Sequence, residues 1–252
     1  GWLNETALSA PRSPMCRSVL VESAFAAADV PVYDSTLYEG GASLSTADNI
    51  LRVGRELGLC SDDADTNALV TRGDAAIILH VVLTQSFRIE EPPVPVTLVN
   101  AADVNVNDFL LELRKLPEQV LDAFNAAGWT YRIDFDYISE LSNRLNMSCI
   151  GATNYSRKTI YISEASAMLH EFGHFLDWML GFPAEHEQLF RAEAAAAPLR
   201  NYAKTNAREY FADCFAYWVK YAENANAISL LQECAPMTYR YMEEVTILQW
   251  PD

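Results

Sequence analysis

Ser163-Glu-Ala-Ser-Ala-Met-Leu-His170-Glu171-Phe172-Gly173-His174-Phe-Leu-Asp177-Trp-Met-Leu-Gly181-Phe-Pro183 carries the features that decide the reading of this chain. Ser163 is a natural N-cap, and Glu164 follows in a first turn that favours negative charge. Ala165, Ala167, Met168 and Leu169 are good helix formers. Gly181 suits the position after a helix end, and Pro183 stops continuation. A helix over about 164–180 is predicted. Met168, Leu169, Phe172, Phe175, Leu176 and Met179 surround His170 and His174 with apolar surface, so the helix is expected to be buried. Two histidines four apart lie one turn above each other on one face, and both imidazoles can reach one cation.

Buried imidazoles need partners, and a metal ion satisfies both at once. HExxH on a helix is the arrangement of zinc peptidases, with the intervening Glu171 as general base toward a metal-activated water. The bland alternative is a helix that happens to carry two histidines.

A catalytic zinc takes three protein ligands and keeps one position open. Downstream, Glu209-Tyr210-Phe211-Ala212-Asp213 lies on a second apolar helix that Thr205 or Asn206 can cap. Glu209 and Asp213 share a face there, and two carboxylates on an apolar helix are costly unless paired or bound to a metal. Glu209 is read as the third zinc ligand. Asp213, one turn on, is read as the carboxylate that orients a ligand histidine. The competing reading pairs both carboxylates with Arg208 or Lys220 at the surface.

Tyr202-Ala-Lys-Thr-Asn-Ala-Arg-Glu209-Tyr-Phe-Ala-Asp213, taken with His170-Glu171-Phe172-Gly173-His174-Phe175-Leu176-Asp177, resembles the catalytic domain of the anthrax lethal factor family. That family includes secreted bacterial Pro-Pro endopeptidases and belongs to the gluzincins. The resemblance covers about residues 95–252 loosely and 159–218 well. It implies a zincin-like metallopeptidase fold with His170, His174 and Glu209 on zinc, Glu171 as general base and Asp213 orienting a histidine. It also implies that Tyr202 donates its hydroxyl to the developing oxyanion. Relatives carry an acid at Asp177, to which no role is given.

Gly151–Ser163 reads as a hairpin: Thr159–Ile162 are β-formers, and Asn154–Lys158 is a polar turn. Either Cys149–Asn154 or Lys158–Ile162 is expected to be the edge strand that pairs with an extended substrate.

The 252 residues carry a net charge of −16, with a pI near 4.6. That balance argues against nucleic acid and against anionic membrane surfaces. No apolar run reaches membrane-spanning length. Gly1 opens the chain without a charged, then apolar, leader, so no signal peptide is expected within it. The Gly1-Trp2 start resembles a mature form, and export from a bacterium, to the medium or the cell surface, is expected. Cys16, Cys60, Cys149, Cys214 and Cys234 form no CxxC pair. A structural zinc knot is therefore not expected, a Cys16–Cys60 bridge is conceivable, and Cys214 reads as a buried thiol. Neither spare histidine is expected to be a ligand. His80 ends the apolar helix Asp74–Leu83, and His186-Glu-Gln-Leu-Phe190 has Phe where a second histidine would stand.

Glu90-Glu-Pro-Pro-Val-Pro95 marks a boundary. The expected organisation is a helical accessory region over 1–90, a Pro-rich linker over 91–95 and an α+β catalytic domain over 96–252. Val70-Thr71-Arg72-Gly73-Asp74-Ala75-Ala76 resembles an S-layer homology repeat, with a faint counterpart 55 residues earlier at Cys16. That resemblance implies cell-wall association; the alternative is a helical cap on the catalytic domain. The leading expectation is a zinc-dependent endopeptidase acting on a protein or peptide. The rivals are a cell-surface anchoring or adhesion protein with a structural or vestigial zinc site, and a zinc hydrolase of non-peptide bonds.

Overall fold

A computed structural model describes residues 14–61 and 63–247. Gly1 and Trp2, and Asp62 of the polar loop before the S-layer-like stretch, lie outside the described residues. The chain divides into two compact units, Gly1–Pro93 and Val94–Asp252.

The N-terminal unit is helical. Its helices are α1 (Arg17–Ala28), α2 (Thr46–Glu56) and α3 (Arg72–Thr84). Val21, Phe25, Ile50, Leu51, Val53 and Ile78 form its core. Ser45 caps α2, and Thr71 caps α3 in a reciprocal box with Asp74. A bridge from Cys16 to Leu69 brings the starts of α1 and α3 together, so the two members of the faint sequence repeat open side by side. No disulfide joins the five cysteines, so the conceivable Cys16–Cys60 bridge is not formed, and Cys214 is fully buried.

The C-terminal unit is α+β. Its sheet contains β1 (Leu98–Asn100), β2 (Thr130–Ile133), β3 (Gly151–Asn154) and β4 (Thr159–Ile162), in the order β1-β2-β4-β3. β1, β2 and β4 run parallel, and β3 returns antiparallel on β4. Parallel neighbours need crossover connections. Helices α4 (Asn107–Leu113) and α5 (Glu118–Ala126) supply the first, and α6 (Phe135–Leu145) the second. β4 is buried along its whole length between β2 and β3, whereas β3 is half-buried at the sheet edge. Of the two hairpin strands, Gly151–Asn154 is the one at a sheet edge; the other edge of the sheet is β1.

The motif helix is α7 (Met168–Met179), preceded by a single 3-10 turn at Ala165–Ala167. It starts later than the sequence predicts because Ser163 does not cap it. The Ser163 N–H and hydroxyl both donate to the carbonyl of Ile150, at 2.9 and 3.2 Å, and extend the hairpin instead. Phe172 and Phe175 of α7 pack into an aromatic core with Phe124, Trp129 and Tyr131.

Four helices complete the unit: α8 (Ala184–Glu193), α9 (Ala207–Lys220), α10 (Ala225–Cys234) and α11 (Pro236–Ile247). The buried carboxylate of Glu193 accepts from the N–H groups of Met237 and Thr238, each at 2.8 Å, and so closes the N-terminus of α11.

Candidate metal centre

Helix α7 presents His170, Glu171 and His174 as buried side chains, none more than 8% exposed. What allows a second helix to close over that face is Gly173. A Cβ at Gly173 would stand 2.6 Å from the Cα and 2.7 Å from the carbonyl oxygen of Ala212 on α9. Only a glycine lets the two backbones approach this closely. The approach carries Glu209, in the first turn of α9, to the histidine pair. Asn206 fixes that turn by accepting from the N–H groups of Arg208 and Glu209.

Nε2 of His170 lies 3.0 Å, and Nε2 of His174 3.4 Å, from Oε2 of Glu209. Among the described residues these three form the one His/Cys/Asp/Glu group whose donor atoms, within 4.8 Å of one another, could hold a metal ion. The far nitrogen of His170 is engaged: Nδ1 lies 2.6 Å from Oδ1 of Asp213. Asp213 is held in turn by Arg200, whose Nε and Nη2 donate to its two oxygens at 2.6 and 2.7 Å. Arg208 and Lys220, the surface partners considered from sequence, make neither contact.

The donor set fits a cation. Were the His170 ring neutral, with Nδ1 donating to Asp213, it would turn an Nε2 lone pair toward a carboxylate oxygen. Glu209 Oε2 is buried and makes no well-aligned hydrogen bond, despite the short approach of both rings. Three lone-pair donors facing one point repel unless positive charge sits among them. The titration behaviour expresses the same demand. Burial disfavours the charged ring of His170, yet Asp213 and Glu209 outweigh it and raise its pKa to about 9. Burial likewise works against the Glu209 carboxylate, but the two histidines bring its pKa down to about 2. Two imidazoles and a carboxylate are a donor set suited to zinc.

Beside this group lies a cleft of about 840 Å³. Its walls include β3, the segment 147–150, His170, Glu171, His174, Tyr202 and Glu209. Glu171 is not one of the clustered donors. Its Oε2 accepts from Oγ1 of Thr153 on β3 at 2.7 Å. A Cβ at Gly151 would come within 2.6 Å of Glu171 Oε1, so glycine at that strand position leaves the carboxylate its space. Tyr202 stands on the cleft rim, 42% exposed, its ring centroid 6.2 Å from that of His170.

The family model described as "Anthrax toxin lethal factor, N- and C-terminal domain" matches residues 107–245, more than half of the chain. The chain belongs to the anthrax toxin lethal factor family. No curated protein matches it. Among solved structures, the Pro-Pro endopeptidase PPEP-2 from Paenibacillus alvei is similar, with a TM-score of 0.47 and 18% identity over 59% of this chain and 96% of that one.

Several residues around the centre of this lethal factor family member escape sequence reading. Thr153, Gly151 and Arg200 meet their partners only across the fold, and none stands at a helical spacing from a ligand; Gly173 lies inside the motif, but its contact with Ala212 is made only across the fold. Asp177, which the sequence left without a role, binds Nδ1 of His186 at 2.7 Å, and Nε2 of His186 meets the Tyr241 hydroxyl at 2.8 Å. His186 lies flat on Phe211, ring centroids 3.8 Å apart. It is a packed, hydrogen-bonded histidine that ties α7, α8, α9 and α11 together. His80 is exposed on α3 of the N-terminal unit.

Proposed function

We propose that this member of the lethal factor family is a zinc-dependent endopeptidase. The observation that carries the reading is the joint placement of His170, His174 and Glu209 around one point, with Glu171 beside them and an open strand edge, β3, along the same cleft. Val94 onward is the catalytic unit, and residues before the Pro-rich boundary are an accessory unit. In line with the family's secreted members, the protein works outside a bacterial cell or at its surface, and the accessory unit associates with the cell wall.

His170, His174 and Glu209 would hold the zinc ion. When bound, zinc polarises the scissile carbonyl and lowers the pKa of the attacking water. Asp213, backed by Arg200, keeps the proton of His170 on Nδ1 and leaves Nε2 as a donor. The edge of β3 that pairs with no described strand offers main-chain N–H and C=O groups to an extended peptide. Glu171 takes a proton from the attacking water onto its carboxylate and later delivers it to the departing amine nitrogen. Thr153 holds one oxygen of Glu171 and fixes the direction of the other. Tyr202 swings its hydroxyl from the rim toward the oxyanion that develops on the carbonyl.

An anchoring protein with a structural zinc would need neither Glu171 nor Tyr202 at the cleft. The discriminating experiment is cleavage of a peptide library before and after zinc removal by a chelator. Cleavage that is lost with the metal and restored by one equivalent of zinc is expected. Full zinc occupancy with no cleavage of any peptide would favour the anchoring reading.

Tyr202→Phe tests the oxyanion role. Its kcat is expected to fall roughly 100-fold, the scale of losing one oxyanion donor. Zinc content, measured by atomic absorption, should stay at the wild-type value because the ring is no ligand. Equal loss of metal and rate, or loss of neither, would remove Tyr202 from the mechanism.

A further inference from the structure

Among the described residues, one cation of the cleft has no ion-pair partner. Of the two arginines lining it, Arg200 is bound by Asp213 through both nitrogens. Arg208 has no carboxylate within ion-pair distance among the described residues, and it is exposed. The same cleft is lined by Glu171, Glu187 and Glu209, so Arg208 is the point in it that can attract an anionic group.

Its position is built. The guanidinium carbon sits 4.3 Å from the ring centroid of Phe182 and 5.8 Å from that of Tyr155. The two rings meet edge to face at 5.4 Å. Cation–π contacts of this kind hold a guanidinium in place without cancelling its charge. Phe182 reaches its place at some cost: its φ is +54°, in the left-handed region that a bulky residue seldom occupies. It directly follows Gly181, also left-handed, and its N–H donates to the carbonyl of Asp177 at 2.9 Å. Backbone strain of this kind persists where surrounding structure enforces it, and such residues cluster at functional sites. Tyr155 directly follows β3, so Arg208 stands at the Asn154 end of the edge strand.

We propose that Arg208 is a specificity residue, whose guanidinium, seated against Phe182 and Tyr155, receives the carboxylate of an acidic substrate side chain at the Asn154 end of the cleft. The proposal rests on the endopeptidase reading. A peptide lying along β3 presents alternate side chains at this end, and a planar, five-donor guanidinium matches a carboxylate.

The test starts from a peptide that the library shows to be cleaved. Each flanking position is then occupied in turn by Glu, Gln or Lys, and kcat/KM is measured for zinc-loaded wild type, Arg208→Gln and Arg208→Glu. Wild type should favour Glu over Gln at one position by roughly fivefold, the scale of a partly exposed ion pair. Raising the salt concentration should shrink that ratio in the wild type itself. Arg208→Gln should bring the ratio to about one, and Arg208→Glu should reverse it in favour of Lys. Wild type that treats Glu and Gln alike at every position, or a preference that survives Arg208→Glu, overturns the proposal while leaving an active peptidase. No cleavage of any peptide by zinc-loaded wild type overturns the endopeptidase reading and this proposal with it.

Discussion

Glu171→Gln should lower kcat by roughly 10³-fold, within the range contributed by a positioned general base, and leave zinc content unchanged. The expectation follows from where the carboxylate sits. Glu171 is only 5% exposed, yet it lines the cleft and stands apart from the clustered donor atoms of His170, His174 and Glu209. One of its oxygens is occupied by Thr153, and the space around the other is kept by the missing side chain of Gly151. The amide is the same size as the carboxylate, and the Thr153 hydroxyl can rotate to accept from it or donate to it, so no cavity and no buried unpaired group results. What disappears is the basic oxygen. Single-turnover kinetics on a cleaved library peptide, with metal content measured on the same samples, separates the outcomes. A variant that loses zinc in proportion to its rate would make Glu171 a structural support. A variant as active as wild type would end its role as base.

Gly173→Ala should have an equally large effect by another route. The added methyl would meet the Cα, the carbonyl carbon and the carbonyl oxygen of Ala212, all at 3.0 Å or less. These are backbone atoms, so no rotamer change relieves the contact; α7 and α9 must move apart. Overpacking at such a site costs about 3 kcal/mol, which in a unit of this size lowers Tm by about 10 °C. The movement also separates Glu209, on α9, from His170 and His174, on α7. Zinc affinity should fall about 100-fold, the scale seen when the groups supporting a ligand are disturbed. Thermal melts with and without zinc, joined to a competition titration against a chelating dye, read both quantities. A Gly173→Ala variant with wild-type Tm and zinc affinity would show that the helices can part without cost, and that the close approach does not set the centre.

The two substitutions bear on different parts of the sequence reading. His170, Glu171 and His174 were legible because the helix repeat alone puts residues i and i+4 on one face. Glu209 and Asp213 were legible for the same reason, together with the cost of leaving two carboxylates on an apolar helix. In the structure Asp213 is buried against His170 and Arg200, whose hydrogen bonds hold its pKa down against the effect of burial. The glycine inside the motif was not legible in this way. Any residue is allowed between the histidines as far as helix geometry is concerned, and only the arrival of Ala212, 39 positions later, makes Gly173 indispensable. Arg200 was missed because it lies outside a helix and has no periodic relation to Asp213.

The hairpin shows a similar division. Its two strands were visible as β-forming and polar stretches, but which of them lies at the edge depends on β2, which enters between β1 and β4 from some 30 residues upstream. The start of α7 was misplaced because Ser163 has two uses for its hydroxyl. Local propensity favours a cap, whereas the neighbouring chain offers the carbonyl of Ile150, and the hairpin takes it.

By itself the sequence determined the composition of the candidate centre: two imidazoles and a carboxylate on one helix, a carboxylate pair on another, and an α+β unit behind a proline-rich boundary. Helical periodicity is a local property, and the cost of burying charge is a property of residue type, so both can be read without coordinates. The tertiary structure decided how those groups converge. It set the separation of α7 and α9 through a glycine, the space for Glu171 through another, the contact of His170 Nδ1 with Asp213 and of Asp213 with Arg200, the hairpin strand that lies at the sheet edge, and the seat of Arg208 against Phe182. Each of these depends on contacts between residues far apart in the chain, where no periodicity links one partner to the other.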